Sequence, residues 1–187
     1  SKKGCPKIGS LLYDQKILGY VCNKLLNSYI IKSNHIRFNE KFRFREDEDF
    51  VLRYLQHSDY FTIVYDGAYN YDMPDLSTKY LAVDNFYTSL SMYSSIKKLI
   101  NIVNDRIYLR YLVELTNAFF ATFDNESIPK KECITRITLY TQKVECLFSI
   151  REVSLITKWL LRLPPFISYY ILKLKSSVHR SLEKMKF

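Results

Sequence analysis

Four consecutive carboxylates, Glu46, Asp47, Glu48 and Asp49, are the residues of this chain whose types and spacing best fit a chemical role. An apolar run follows them at once, so they predict the start of a helix over about residues 46–56. Acids gather at the amino end of a helix because its unpaired N–H groups and its dipole attract negative charge. The same position keeps a carboxylate ionised and fixed, as a general base requires. The residues themselves leave both roles open, and capping is the commoner one.

The residue spacing within the predicted helix indicates which of its faces is apolar and which is charged. Phe50 and Tyr54 stand four residues apart, so one face is apolar. Asp49 and Arg53 have the same spacing and predict an ion pair on another face. We expect Glu48 and Asp49 to point towards solvent.

The segment around the acids resembles the carboxy-terminal half of inverting family-two glycosyltransferases, which have the GT-A fold. Four pieces match in order over about 60 residues. "NKL" resembles the family's "NKLY", and "IIKSNHIRFNE" resembles its "I-x-x-N-x-I-x-F-x-E". "EDEDFVLRYL" is similar to "ED-x-x-F-x-x-x-Y-L", and "YNY" with Ser77 resembles the "Y-x-Y … S" tail.

The resemblance implies a role for each matched residue. Asp47 would be the catalytic base, taking a proton from an acceptor hydroxyl as that oxygen attacks the anomeric carbon of a nucleotide sugar with inversion. Glu46 would orient Asp47 or bind acceptor hydroxyls. Asn23, Lys24 and Tyr71 would contact the acceptor, a glycan or a lipid-linked sugar of the kind used in bacterial cell-surface polysaccharide synthesis.

The amino-terminal half of such enzymes is not recognisable in this sequence. No alternating βαβ pattern with an Asp-x-Asp motif precedes the matched pieces. We therefore expect this chain to be the acceptor-side portion of a longer enzyme, inactive by itself. The nucleotide sugar and a Mg²⁺ or Mn²⁺ cofactor would bind the missing half. No metal site is expected in this chain, because its cysteines and histidines lack ligand spacing.

The predicted fold class is mainly α with a small β element (α+β). Only four Gly and five Pro leave little room for a turn-rich sheet. Short strands are predicted at residues 35–38 and, as a hairpin, within residues 60–73. Helical spacing then recurs through the rest of the chain and predicts a bundle. We divide the chain into residues 1–76, the acceptor-side part of the catalytic domain, and residues 77–187, a helical region.

The basic character of the chain indicates an anionic partner. It has 28 Lys and Arg against 19 Asp and Glu, a net charge of +9. A soluble basic protein without such a partner is the alternative, and no nucleic-acid motif is present, so we expect no nucleic-acid partner. Uncovered apolar surface would favour homo-oligomers.

The carboxy-terminal segment interleaves positive and bulky apolar residues, which is typical of helices that lie in a membrane interface. The residues predicted to form this membrane or anion surface are Lys158, Arg162, Lys173 and Lys175. A terminal helix packing its apolar face on the bundle explains the pattern equally well. The expected location is the cytoplasm, with peripheral contact to the inner face of the cytoplasmic membrane as the further possibility.

Overall fold

The computed structural model describes residues 19–42, 44–59, 62, 84–99, 106–144 and 154–184. This part of the chain is mainly helical. We number its helices in chain order: α1 Ser28–Ser33, α2 Glu46–Leu55, α3 Phe86–Leu99, α4 Arg106–Asp124, α5 Lys130–Lys143, α6 Leu155–Leu160 and α7 Pro165–Lys184. The chain forms two compact units, Ser1–Leu112 and Val113–Phe187. The predicted boundary between residues 76 and 77 lies outside the described residues and stays a prediction.

The mainly helical fold class is confirmed, and the small β element is not seen. The described residues contain no strand, so the strand predicted at residues 35–38 is wrong. The hairpin predicted within residues 60–73 lies outside the described residues, apart from residue 62. The helix predicted over about residues 46–56 is confirmed as α2.

Local capping explains why residues 35–38 do not pair as a strand. His35 follows α1 with a left-handed φ of 51°. Its N–H bonds the Lys32 carbonyl at 3.3 Å, and the Ile36 N–H bonds the Ile31 carbonyl at 3.0 Å. These two bonds make a Schellman motif, which satisfies the last carbonyls of a helix. Ile36 is thereby buried with Phe50 and Tyr54 in a small apolar cluster.

In the first unit, α2 packs on α3 and brings the acidic run against a buried core. Phe50, Val51 and Leu52 on α2 are all buried. The hydroxyls of Tyr93 on α3 and Tyr108 on α4 lie 2.5 Å apart and are buried, so each phenol has a polar partner. The first turn of α2 is thus held on a packed support.

In the second unit, α5 packs on α7, and aromatic contacts tie α4 to α5. Phe119 stacks on Tyr140 with ring centroids 4.2 Å apart. Arg136 is buried and donates to Glu132 at 2.7 Å and to Thr122 at 3.2 Å, so its charge is compensated. Helices predicted from spacing alone in the carboxy-terminal half are present as α3 to α7.

Candidate functional site

The acidic run forms the first turn of α2, where the helix dipole favours negative charge. Arg45 is the N-cap residue and has a left-handed backbone with φ 60°, and its side chain makes no capping bond. None of the four acids is itself the N-cap, so side-chain capping is not their role. Their chemistry depends on which neighbours each carboxylate meets.

Glu48 is turned inward, with an exposed fraction of 8%. Its Oε2 accepts a hydrogen bond from Nε of Arg45 at 2.5 Å, and its Oε1 accepts one from the Tyr111 hydroxyl. The Arg45 guanidinium lies 5.6 Å from the centroid of the Tyr111 ring. Glu48 therefore ties the start of α2 to α4 through a charged and a phenolic donor.

Asp49 is more deeply buried, with an exposed fraction of 1%. Its Oδ2 accepts from Nε of Arg53 at 2.9 Å, and Nη2 of Arg53 lies 2.8 Å from the same oxygen. Its Oδ1 accepts from the Ser91 hydroxyl of α3 at 2.7 Å. Arg53 also donates to the backbone carbonyl of Arg37 at 2.6 Å, so this network joins α2, α3 and the loop before α2.

The expectation that Glu48 and Asp49 face solvent is therefore wrong, whereas the predicted ion pair between Asp49 and Arg53 is confirmed. Successive residues of a helix are about 100° apart, so four adjacent acids point in four directions. On a helix covered on more than one side, some of them must face protein. Both buried carboxylates are stable there because each oxygen has a donor.

Glu46 and Asp47 differ from the two buried acids. Both are partly exposed. Among the residues that the structure describes, no side chain donates a hydrogen bond to either carboxylate. Within the described residues, the acidic run is thus divided into a pair that holds the helix and a pair that accepts no side-chain hydrogen bond.

Lys24 interacts electrostatically with Asp47. Partial burial lowers the pKa of Lys24 to about 8, while electrostatic interactions with Cys22 and Asp47 act in the opposite direction. The Lys24 ammonium donates to the side-chain oxygen of Asn23 at 2.8 Å and to the Tyr20 carbonyl. The "NKL" segment and the acidic pair, separated in sequence, therefore influence each other electrostatically.

The remaining predicted acceptor residues are placed as follows. Asn23 is exposed, and its side chain is a partner of the Lys24 ammonium. Tyr71 and Ser77 lie outside the described residues, so their predicted places near Asp47 stay predictions.

Sequence reasoning missed Tyr111 and Ser91, which bind the two buried acids from other helices, because no local pattern marks a partner so far along the chain.

An open cleft of about 470 Å³ lies beside α2. Its lining residues are His35, Arg37, Phe38, Asn39, Glu40, Lys41, Asp49, Arg53 and Ser91. Asp47 is not among them. Phe38 stacks on the buried Phe50 with centroids 4.5 Å apart and leaves part of its ring exposed. The cleft therefore combines an aromatic surface with amide, carboxylate and cationic groups, a mixture that can bind a polar ligand.

The four residues predicted to form a membrane or anion surface differ in exposure and contacts, and their joint role stays a prediction. Arg162 and Lys175 are exposed. Lys158 is only 4% exposed and does not contribute to the surface. Lys173 donates to the carbonyl of Phe123 at 3.0 Å, where it helps to satisfy the carboxy-terminal end of α4.

Two further properties concern metals and membranes. In the part of the chain that the structure describes, no group of three or more His, Cys, Asp or Glu side chains could hold a metal ion. No described helix is both long enough and apolar enough to cross a bilayer.

Comparisons with protein-family models, with curated proteins and with solved structures find no match for this chain.

Proposed function

We propose that this chain is the acceptor-side part of an inverting glycosyltransferase, with Asp47 as the general base. The observation that carries the proposal is the division of the acidic run. Glu48 and Asp49 have a donor on each carboxylate oxygen, whereas no described side chain donates to Glu46 or Asp47. A base must keep an oxygen available for the substrate proton.

The two buried acids support the proposed base by fixing the backbone beneath it. Asp49 is linked to Ser91 and Arg53, and Glu48 is linked to Tyr111 and Arg45. A catalytic carboxylate needs such a rigid backbone support, because a misplacement of about 1 Å can cost about 100-fold in rate. These contacts hold the first turn of α2 from both sides of Asp47.

In the proposed reaction, the acceptor oxygen forms a bond to the anomeric carbon while the bond from that carbon to the donor phosphate breaks. The proton of the acceptor hydroxyl passes to Asp47, and the nucleoside diphosphate leaves with the bonding electrons. Glu46 orients Asp47 or binds a second acceptor hydroxyl. Lys24 and Asn23 would contact the acceptor.

The donor and its Mg²⁺ or Mn²⁺ would bind a nucleotide-sugar-binding half of the kind that such enzymes carry, and no step is assigned to a metal held by this chain. The acceptor class is a glycan or a lipid-linked sugar. Because Asp47 does not line the cleft beside α2, the proposal does not place the reacting acceptor hydroxyl in that cleft.

The test is sugar transfer by the full-length protein carrying Asp47→Asn. We expect turnover to fall by at least about 100-fold, because a positioned general base contributes on the order of 10²–10⁴ in rate. The circular dichroism spectrum should not change, since Asp47 is partly exposed. Asp59→Asn, at an exposed acid after α2, is the matched control and should keep full activity. Wild-type turnover by Asp47→Asn would remove Asp47 from the role of base.

A further inference from the structure

The outward side of α7 is apolar. Phe166, Tyr170, Leu174 and Val178 follow one another at four-residue spacing, and their exposed fractions are 56%, 57%, 64% and 51%. Residues four apart on a helix are neighbours on its surface, so these side chains form one continuous row. We call this row, together with Trp159 and Leu163 just before it, the apolar ridge.

The inward side of α7 carries two buried serines, Ser168 and Ser176, on either side of the buried Leu172. Ser168 is fully buried and donates to the Leu160 carbonyl at 2.7 Å. Ser176 is buried and donates to the Phe123 carbonyl at 3.1 Å and to Asp124 at 2.6 Å. These hydroxyls satisfy carbonyls of α6 and α4, so part of the inward side of α7 is polar while Phe166, Tyr170, Leu174 and Val178 stay exposed.

Positive charges border the apolar ridge. The Lys130 ammonium lies 2.5 Å from the Tyr170 hydroxyl and 4.4 Å from the centroid of its ring. The Arg162 guanidinium lies 5.4 Å from the Trp159 ring centroid, and Lys175 is exposed on α7 itself. Residues 158–187 contain seven Lys and Arg and a single acid.

We propose that the apolar ridge docks this protein on an anionic lipid surface, with α7 lying in the plane of the interface. Exposed apolar side chains enter the boundary between headgroups and acyl chains, and bordering Lys and Arg bind anionic headgroups. Trp and Tyr, both present here, favour this boundary because their rings are apolar and their tips are polar. The helix is about 30 Å long and would lie flat.

A second copy of the chain fits the ridge less well than lipid. Two ridges packed face to face would bring Lys130, Arg162 and Lys175 of both copies together, and like charges repel. An anionic lipid surface supplies the missing negative charge over the whole length of the ridge. The proposal does not depend on Asp47 acting as a base.

The test uses the full chain with vesicles of phosphatidylcholine containing about 30 mol% phosphatidylglycerol. Trp159 is the only Trp of the chain and belongs to the ridge, so its fluorescence reports directly on docking. We expect sedimentation with the vesicles, a blue shift of the Trp159 emission and quenching by brominated lipids. Binding should fall at least about tenfold in phosphatidylcholine alone or on raising salt from 0.1 M to about 0.5 M.

Two matched pairs of variants separate the apolar and charge contributions. Phe166→Ser with Leu174→Ser should reduce binding at least about tenfold, because each removes an apolar side chain from the lipid boundary. Leu25→Ser with Tyr29→Ser changes even more exposed apolar residues of the first unit and should leave binding unchanged.

The charge pair is Arg162→Gln with Lys175→Gln, which should weaken binding to anionic vesicles several-fold. Its control, Lys32→Gln with Lys98→Gln, changes exposed lysines elsewhere and should have little effect. All positions are exposed, so circular dichroism should confirm the fold in each variant.

Three results would overturn the proposal. The first is an absence of wild-type binding to anionic vesicles. The second is binding without a Trp159 response, or binding that Phe166→Ser with Leu174→Ser does not weaken. The third is a dimer, found by sedimentation velocity without lipid, that those two substitutions dissociate, which would assign the ridge to a second copy instead. Loss of sugar transfer in Asp47→Asn with docking intact would distinguish the two proposals.

Discussion

Replacing Asp49 tests whether the buried acids hold α2 in place. Asp49→Ala would leave the Arg53 guanidinium and the Ser91 hydroxyl without the carboxylate that both now contact. Removing one partner of a buried ion pair costs about 3–5 kcal/mol. The Arg53 side chain is 30% exposed and can regain part of its hydration, so we expect the lower end, about 3 kcal/mol.

The assay is urea unfolding of the chain followed by circular dichroism at 222 nm. With a dependence on urea of about 2 kcal/mol per molar, the midpoint should fall by roughly 1.5 M. Asp47→Ala is the matched control, because it lies in the same helical turn and loses the same interaction with the helix dipole. That interaction is worth at most about 1 kcal/mol, so the control midpoint should move by less than about 0.5 M.

A double-mutant cycle assigns the loss to the ion pair itself. The double variant Asp49→Ala with Arg53→Met should lose at least about 1 kcal/mol less unfolding free energy than the sum of the two single variants. In the Asp49→Ala background, Arg53→Met removes a positive charge that has already lost its carboxylate partner. Equal midpoint shifts for Asp49→Ala and Asp47→Ala would refute the reasoning. Additive single changes would show that Asp49 acts through something other than Arg53.

Two further predictions concern the neighbours of the acids. With a pKa of about 8, Lys24 should become reactive towards acetic anhydride as pH rises through 8, and Asp47→Asn should shift that transition to lower pH because it removes a charge that raises the pKa of Lys24. Glu46→Gln is the comparison, and an unmoved transition in Asp47→Asn would contradict the electrostatic contact. Tyr111→Phe should destabilise the chain by about 1–3 kcal/mol in urea unfolding, since a buried carboxylate loses a donor. Tyr29→Phe, at an exposed ring, should change stability by less than about 0.5 kcal/mol, and equal effects would refute the role of the Tyr111 hydroxyl.

Helix positions were predictable because their signals are local. The acidic first turn and the four-residue spacing of Phe50 and Tyr54 sufficed for α2, and apolar spacing sufficed for the later helices. The prediction of a strand at residues 35–38 was wrong, because β-branched and aromatic residues do not determine which carbonyl a backbone N–H will bond. There the N–H of Ile36 bonds back to α1.

The sequence by itself determined that four carboxylates begin a helix and that Asp49 pairs with Arg53, since both follow from spacing within one helix. Only the tertiary structure decided which carboxylates accept hydrogen bonds from side chains of other helices. Ser91 and Tyr111, which bind Asp49 and Glu48, lie 42 and 63 residues further along the chain. Likewise, the composition of α7 is that of any amphipathic helix, and only the tertiary structure shows that Ser168 and Ser176 face inward while Phe166, Tyr170, Leu174 and Val178 are exposed, because the serines bind carbonyls of α6 and α4.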